Sequence, residues 1–176
     1  MSVFASIIME NEDVLKLELF PEKAPITVAN FCDLANRGFY DNLSFHRVVK
    51  DFVIQGGSEK NDCRFVNNFK IDGECYLNGV DTGLTHERGA ISMARLEDYD
   101  SADTQFFIVH QTIERLDGRY SVFGKLVEGY DVLDKIASVE TAPAEQDSKP
   151  LVEQTIKTIT IEADEVLPEV KRNTRD

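Results

Sequence analysis

The stretch FHRVVKDFVIQGG, residues 45–57, contains the pattern that decides the fold. Two short apolar runs, Phe45–Val49 and Phe52–Ile54, are separated by the charged pair Lys50-Asp51. This arrangement is typical of two β-strands joined by a tight connection. The glycines that follow, at 56 and 57, permit a turn or a close approach of another backbone or a ligand. The stretch therefore predicts a strand pair in a β-rich fold.

Three polar side chains, those of His46, Arg47 and Gln55, interrupt these apolar runs. A buried guanidinium without a partner or a ligand is very costly, so Arg47 needs one or the other. From this stretch alone, a structural ion pair and a ligand-binding role for Arg47 are equally favoured.

Outside this stretch, most of the regular patterns are strand-like. Residues 4–9 and 14–20 predict an opening hairpin, because Leu15, Leu17 and Leu19 alternate with charged residues in its second run. Further strands are predicted near residues 69–73, 89–94, 105–109, 121–127 and 155–161, and the last of these could pair with the first strand. Many strands and few helices favour a closed antiparallel barrel, although periodicity alone does not separate a barrel from a sandwich.

Two segments change to a helical period. In residues 25–38, the side chains of Val28, Phe31, Cys32 and Ala35 fall on one face, and Gly38 stands where a left-handed C-terminal residue is expected. A second helix is predicted over residues 130–138. We expect one domain over residues 1–163, followed by a loose charged tail at 164–176.

Composition excludes several classes of function. The formal net charge of −13 argues against binding a nucleic-acid backbone, which requires a basic face. No apolar run approaches membrane-spanning length, and the start of the chain lacks a signal-peptide pattern, so we expect a cytoplasmic protein. Cys32, Cys63 and Cys75 form no CxxC pair, and the set Cys63, Cys75 and His86 matches no zinc spacing, so no metal site is predicted.

The ordered set of motifs FHR, F and QGG (45–57), GAISMAR (89–95), QFFI (105–108) and LDGRYSVFGK (116–125) resembles the cyclophilin family of peptidyl-prolyl cis/trans isomerases. The resemblance extends over about residues 3–162 and is similar to the small bacterial members. It implies an all-β fold: a closed eight-stranded antiparallel barrel capped by two helices. It also implies an isomerase that needs no cofactor, has an active groove on the outer face of the barrel, and acts as a monomer on proline-containing peptides and unfolded proteins to assist folding.

The resemblance also assigns roles to individual residues of this chain. Arg47 corresponds to the family's catalytic arginine, with Gln55 and Phe52 beside it. The implied proline pocket and peptide path consist of Phe52, Val53, Phe107 and Leu116, together with Ala94, Arg95, Gln105 and Tyr120. Tyr120 stands where many members have histidine. An arginine suits this chemistry because its charge is fixed near neutral pH and it can donate a hydrogen bond to the nitrogen of a twisted imide.

Three departures from the family pattern affect these expectations. Arg115 stands where many cyclophilins have tryptophan, so we expect weakened binding of the cyclic peptide cyclosporin. The segment 58–68 lacks the glycines that most members have there, which puts the neighbouring side pocket in doubt. Val53 replaces a commonly longer methionine and slightly enlarges the predicted pocket.

Two further readings of the sequence remain open at this stage. The first is a cyclophilin fold kept as a peptide-binding scaffold or chaperone with little turnover. The second is an unrelated barrel with a small-molecule site. His46 is expected to be a hydrogen-bonded structural residue, because bond rotation requires no proton abstraction. His86 and His110 have no evident partners in the sequence, and we expect them to be structural or exposed.

Overall fold

The predicted strands form, and each lies within a few residues of its expected position. The computed structural model describes residues 1–176, the whole printed sequence. The strands are β1 (Val3–Met9), β2 (Val14–Leu19), β3 (Arg47–Val49), β4 (Val53–Gly56), β5 (Phe69–Lys70), β6 (Ala90–Met93), β7 (Phe106–Val109), β8 (Val122–Glu128), β9 (Ile156–Ala163) and β10 (Asn173–Thr174). The helices are α1 (Pro25–Asn36) and α2 (Tyr130–Ala137).

Eight of these strands form one antiparallel sheet in the order β3-β4-β7-β6-β8-β2-β1-β9. The last long strand, β9, pairs with β1 over its whole length, as the sequence predicts. The expected closure is overstated, because the two edge strands β3 and β9 are not paired with each other. Between these edges, a single bridge joins Ser44 to Thr155, and the Phe45 amide donates to the Gln154 carbonyl at 3.0 Å. The sheet is therefore strongly curled and only narrowly joined at its edges.

Alternation along the strands separates two apolar clusters. Val48, Ile54, Phe106 and Ile108 belong to an inner cluster of 31 buried residues, which also includes the apolar face of each helix. Their strand neighbours, such as Val53 and Phe107, point to the opposite face, because successive side chains of a strand alternate. This outer cluster comprises Val53, Ala90, Ala94, Phe107, Val109, Ile113 and Val122.

Helix α1 fills one opening of the curled sheet. The ring of Phe31 lies 5.3–5.5 Å from those of Tyr40, Phe106 and Phe123, distances at which aromatic pairs attract each other. The helix begins at Pro25 and is followed by Gly38 with φ of +74°, as predicted. The buried carboxylate of Glu74 accepts from the Thr27 amide at 2.7 Å, so a distant residue satisfies a free amide of the first turn. No helix has the length and apolar character needed to cross a bilayer.

The expected loose tail is wrong for its final residues. Strand β10 pairs with β5, and the Arg172 guanidinium donates to the side chains of Asn30 and Asp33 on α1 at 2.8 and 2.9 Å. These contacts fix residues 172–175 against the body of the protein. Charged residues in a sequence indicate solubility, but Arg172 and Arg175 have carbonyl and carboxylate partners that the linear pattern does not reveal.

Candidate active site

A cavity of about 290 Å³ lies on the outer cluster, beside the β3–β4 hairpin. Nine of the ten residues singled out from the sequence line it: Arg47, Phe52, Val53, Gln55, Ala94, Arg95, Phe107, Leu116 and Tyr120. The register of strands β3, β4 and β7 explains why several of these side chains lie together. Gln55 pairs with both Arg47 on β3 and Phe107 on β7, so these side chains emerge on the same face.

The hairpin that carries Arg47 ends in a tight turn. The Phe52 amide donates to the Val49 carbonyl at 3.0 Å, and Asp51 adopts the left-handed conformation with φ of +63°. The Asp51 amide donates to Nδ1 of His110 at 2.9 Å, while Nε2 of the same ring contacts the Asp134 carboxylate of α2 at 2.9 Å. His110 thus has two partners that are not evident in the sequence, and it connects the turn to α2 as a structural residue.

Hydrogen bonds connect Arg47 to the interior through two glutamines. Nη1 of Arg47 donates to Oε1 of Gln55 at 3.2 Å, and Nε2 of Gln55 donates to Oε1 of Gln105 at 3.1 Å. Gln105 in turn donates to the Arg64 carbonyl at 2.8 Å. Arg47 is half-buried and its guanidinium also lies 5.6 Å from the Phe52 ring centroid, so its orientation is fixed from two sides.

Gln105 is the one residue of the ten that does not line the cavity. Its side chain is 1% exposed and lies behind Gln55, away from the cavity surface. From this position Gln105 supports Gln55, and its assignment to the path of a peptide stays a prediction.

Phe107 and Tyr120 form an aromatic wall with a histidine behind it. The His86 ring is stacked on Phe107 at 5.9 Å, and the rings of Phe107 and Tyr120 meet edge to face at 5.8 Å. Nδ1 of His86 contacts the Asp117 carboxylate at 3.0 Å, and Nε2 contacts Ser92 Oγ at 2.9 Å. His86 is thus a buried, fully bonded residue that supports the wall. Burial is the main cause that lowers its pKa, so the ring is neutral at neutral pH.

Arg95 supports the rim of the cavity. Its guanidinium donates to the carbonyls of Leu96, Glu97 and Arg119 at 2.7–3.0 Å. It also lies 4.4 Å from the Tyr120 ring centroid and 4.5 Å from that of Tyr99. These contacts hold Tyr120 in place and occupy most of the donors that a bound peptide would otherwise meet.

His46 differs from its expected role in one respect. It is 1% exposed, but neither ring nitrogen has a hydrogen-bond partner. Burial lowers the pKa of His46 to about 4, so the imidazole is uncharged at neutral pH. The prediction of a structural residue is consistent with this position, and the polar groups that act on the ring are the Gln105 side chain and the Ser44 backbone, neither in full hydrogen-bonding geometry.

The sequence reasoning missed Cys63, Phe65 and Leu96, which also line the cavity. Cys63 and Phe65 lie in the segment 58–68, which has no strand or helix and no hydrophobic period. Phe65 is the one aromatic residue of that polar segment, and this was the available signal. After β4, Gly57 has φ of +91°, and a Cβ there would lie 2.6 Å from the Thr104 carbonyl oxygen, so the predicted close approach is confirmed.

A curled β-sheet with a guanidinium at the rim of an apolar cavity on its outer face is the arrangement expected of the cyclophilin class. The chain belongs to this family: the model described as "Cyclophilin type peptidyl-prolyl cis-trans isomerase/CLD" matches residues 4–161. The enzyme class and the all-β, two-helix architecture inferred from the sequence are therefore confirmed.

Similar proteins support the assignment along most of the chain. Peptidyl-prolyl cis-trans isomerase A of Dickeya dadantii is 42% identical over 154 residues, which cover 82% of this chain and 79% of that protein. Peptidyl-prolyl cis-trans isomerase B of Bacillus subtilis is 44% identical over 124 residues, covering 70% and 83% respectively. A crystal structure of a cyclophilin-type isomerase of Cryptosporidium parvum, solved in the presence of the dipeptide Ala-Pro, superposes with a TM-score of 0.80 at 30% identity, covering 93% of this chain and all of that one.

Proposed function

We propose that this protein accelerates rotation about X–Pro bonds by binding the proline ring in the outer cavity and meeting the imide nitrogen with Arg47. The observation that carries the proposal is the position of Arg47, half-buried at the wall of an apolar cavity and held there by Gln55 and Phe52. Proline-containing segments of unfolded or flexible chains are the proposed substrates, and a monomer in the cytoplasm is the proposed working form.

The chemistry requires no bond to be made or broken. Resonance raises the barrier to peptide rotation to about 18–20 kcal/mol, and a proline imide exchanges in tens of seconds or longer without help. Catalysis therefore requires tighter binding of the twisted imide than of either planar isomer. In the twisted form the proline nitrogen regains a lone pair, and a guanidinium N–H can donate to it.

Catalysis also requires that the proline ring be held in place, and the cavity supplies this. Phe52, Val53, Phe107 and Leu116 form apolar walls that hold the ring while the preceding carbonyl rotates. Val53 and Phe107 are 2% and 5% exposed, so their positions are set by packing before any peptide arrives. Binding energy gained from such a preformed wall is not lost in ordering side chains.

A protease-free isomerisation assay on a proline peptide tests the proposal with wild type and Arg47→Ala. A hydrogen bond to a charged group contributes about 1.5–3 kcal/mol, so the variant should lose about 10- to 150-fold in kcat/KM, mainly through kcat. Arg37→Ala is the matched control, because Arg37 is 59% exposed and pairs with Asp33 on α1.

Each outcome of this assay is informative. Acceleration by wild type that falls sharply in Arg47→Ala and persists in Arg37→Ala supports the proposal. Peptide binding by wild type without acceleration would instead indicate a scaffold, and unchanged activity in Arg47→Ala would remove Arg47 from the reaction.

A further inference from the structure

The segment Lys171–Asp176 lies outside the part of the chain that matches the family model. Arg175 of this segment is half-buried, with 17% of its side chain exposed, although it stands next to the last residue. Its backbone amide donates to the Asn68 carbonyl at 2.8 Å, which continues the pairing of β10 with β5. Residue 175 is therefore held against Asn68, at the end of the segment 58–68.

The Arg175 guanidinium connects that segment to a second one. Its Nε donates to the Asn67 carbonyl at 3.1 Å, and Nη2 donates to the carbonyls of Ser101 and Phe69 at 2.8 and 3.3 Å. The same nitrogen lies 3.3 Å from Oδ2 of Asp103, a carboxylate that is completely buried. One side chain thus joins residues 67–69 to residues 101–103.

The contact that reaches the cavity is made with Phe65. The Arg175 guanidinium lies 5.8 Å from the centroid of the Phe65 ring, within the range of a cation–π attraction. Phe65 and Cys63 line the cavity and lie in the segment 58–68, which has no strand or helix. Cys63 and Phe65 thus form one wall of the cavity. On the N-terminal side of Phe65, Gln105 restrains this wall through its bond to the Arg64 carbonyl, and on the C-terminal side Arg175 restrains it through its bond to the Asn67 carbonyl.

We propose that Arg175 is a positioning residue for the peptide site: it holds the wall formed by Cys63 and Phe65 in place before a peptide binds. The inference rests on the proposed function, because it assumes that the cavity takes the peptide. Arg175 itself does not line the cavity and touches no reacting atom.

The role predicts a particular kinetic signature. Without Arg175, the wall must be ordered when the peptide binds, and this entropy is lost equally in the ground state and in the transition state. KM should therefore rise while kcat changes little. A defect in Arg47 has the opposite signature, because Arg47 acts only on the twisted imide.

The experiment compares Arg175→Ala with Lys171→Ala, which removes the same charge from an exposed side chain of the same segment. We expect Arg175→Ala to raise KM about fivefold or more with kcat within about twofold of wild type, and Lys171→Ala to match wild type. The second measurement is the rate at which a small thiol reagent modifies Cys63. That rate should rise in Arg175→Ala, while Cys32, which is completely buried, stays protected unless the whole protein unfolds.

Arg175→Lys provides a second variant if Arg175→Ala does not fold. It keeps a cation near Asp103 but loses the planar group that contacts Phe65 and several carbonyls, so Cys63 should again become more reactive. Wild-type values of both KM and Cys63 reactivity in a folded Arg175 variant would overturn the proposal. If wild type shows no isomerase activity, the proposed function fails, whereas Cys63 reactivity still tests the restraint of the wall.

Discussion

Gln55→Leu removes the amide that joins Arg47 to Gln105, while leucine still fills most of the space. Gln55 is 7% exposed and contacts both neighbours at 3.1–3.2 Å, so two hydrogen bonds are lost. For activity, the loss that matters is the orientation of Arg47. A hydrogen bond contributes about 0.5–1.5 kcal/mol net, and about 1.4 kcal/mol corresponds to a tenfold change in rate. We therefore expect kcat/KM to fall by about 2- to 13-fold.

The double variant Arg47→Ala/Gln55→Leu makes the reasoning testable. If Gln55 acts through Arg47, its replacement should have almost no further effect once Arg47 is absent. The assay should be run near 10 °C, where the uncatalysed reaction takes minutes. Gln111→Leu, an exposed substitution of the same kind, is the control. Losses that simply multiply in the double variant would show that Gln55 acts independently of Arg47, and the relay would then be refuted.

Two further predictions concern pH and drug binding. The pKa of His46 is about 4 in the native state, whereas a histidine in the unfolded chain has its ordinary pKa of 6.5. Between these two pH values the unfolded chain binds a proton that the native chain does not. The free energy of unfolding should therefore fall from pH 7 to pH 4, by up to about 3 kcal/mol from this residue, and urea titrations should show a shallower fall in His46→Leu. Arg115→Trp supplies an indole beside Phe52, where the Arg115 guanidinium now lies 5.0 Å from the ring centroid. Calorimetric titration should show cyclosporin binding tightened by about tenfold, and an unchanged affinity would contradict the account of the missing tryptophan.

The sequence was informative where structure depends on nearby residues. The hairpin around Lys50-Asp51, the alternating strand β2 and the helix that begins at Pro25 all follow from patterns within about ten residues. The placement of Arg47, Phe52 and Phe107 on one cavity followed from ordered motifs that resemble a known family. The first signal is local, whereas the second spans residues 45–125 and depends on the order of the motifs.

Sequence reasoning failed where partners are far apart. His86 pairs with Asp117, and Arg175 pairs with Asp103, at separations of 31 and 72 residues. Strand β10 has two residues and pairs with another two-residue strand, so neither shows a periodicity that a window could detect. The wall residues Cys63 and Phe65 lie in an aperiodic segment, and only the folded chain brings them to the cavity.

The separation of the two apolar clusters has a practical consequence for engineering. Val53 and Phe107 face outward, while Ile54 and Ile108, their neighbours on the same strands, face the interior. Residues of the outer cluster can therefore be substituted to change which peptide the cavity accepts, while the interior residues keep their volumes and contacts. Alternate residues of the same short strands belong to the interior core and to the cavity, so the cavity residues can be substituted while the core residues are kept.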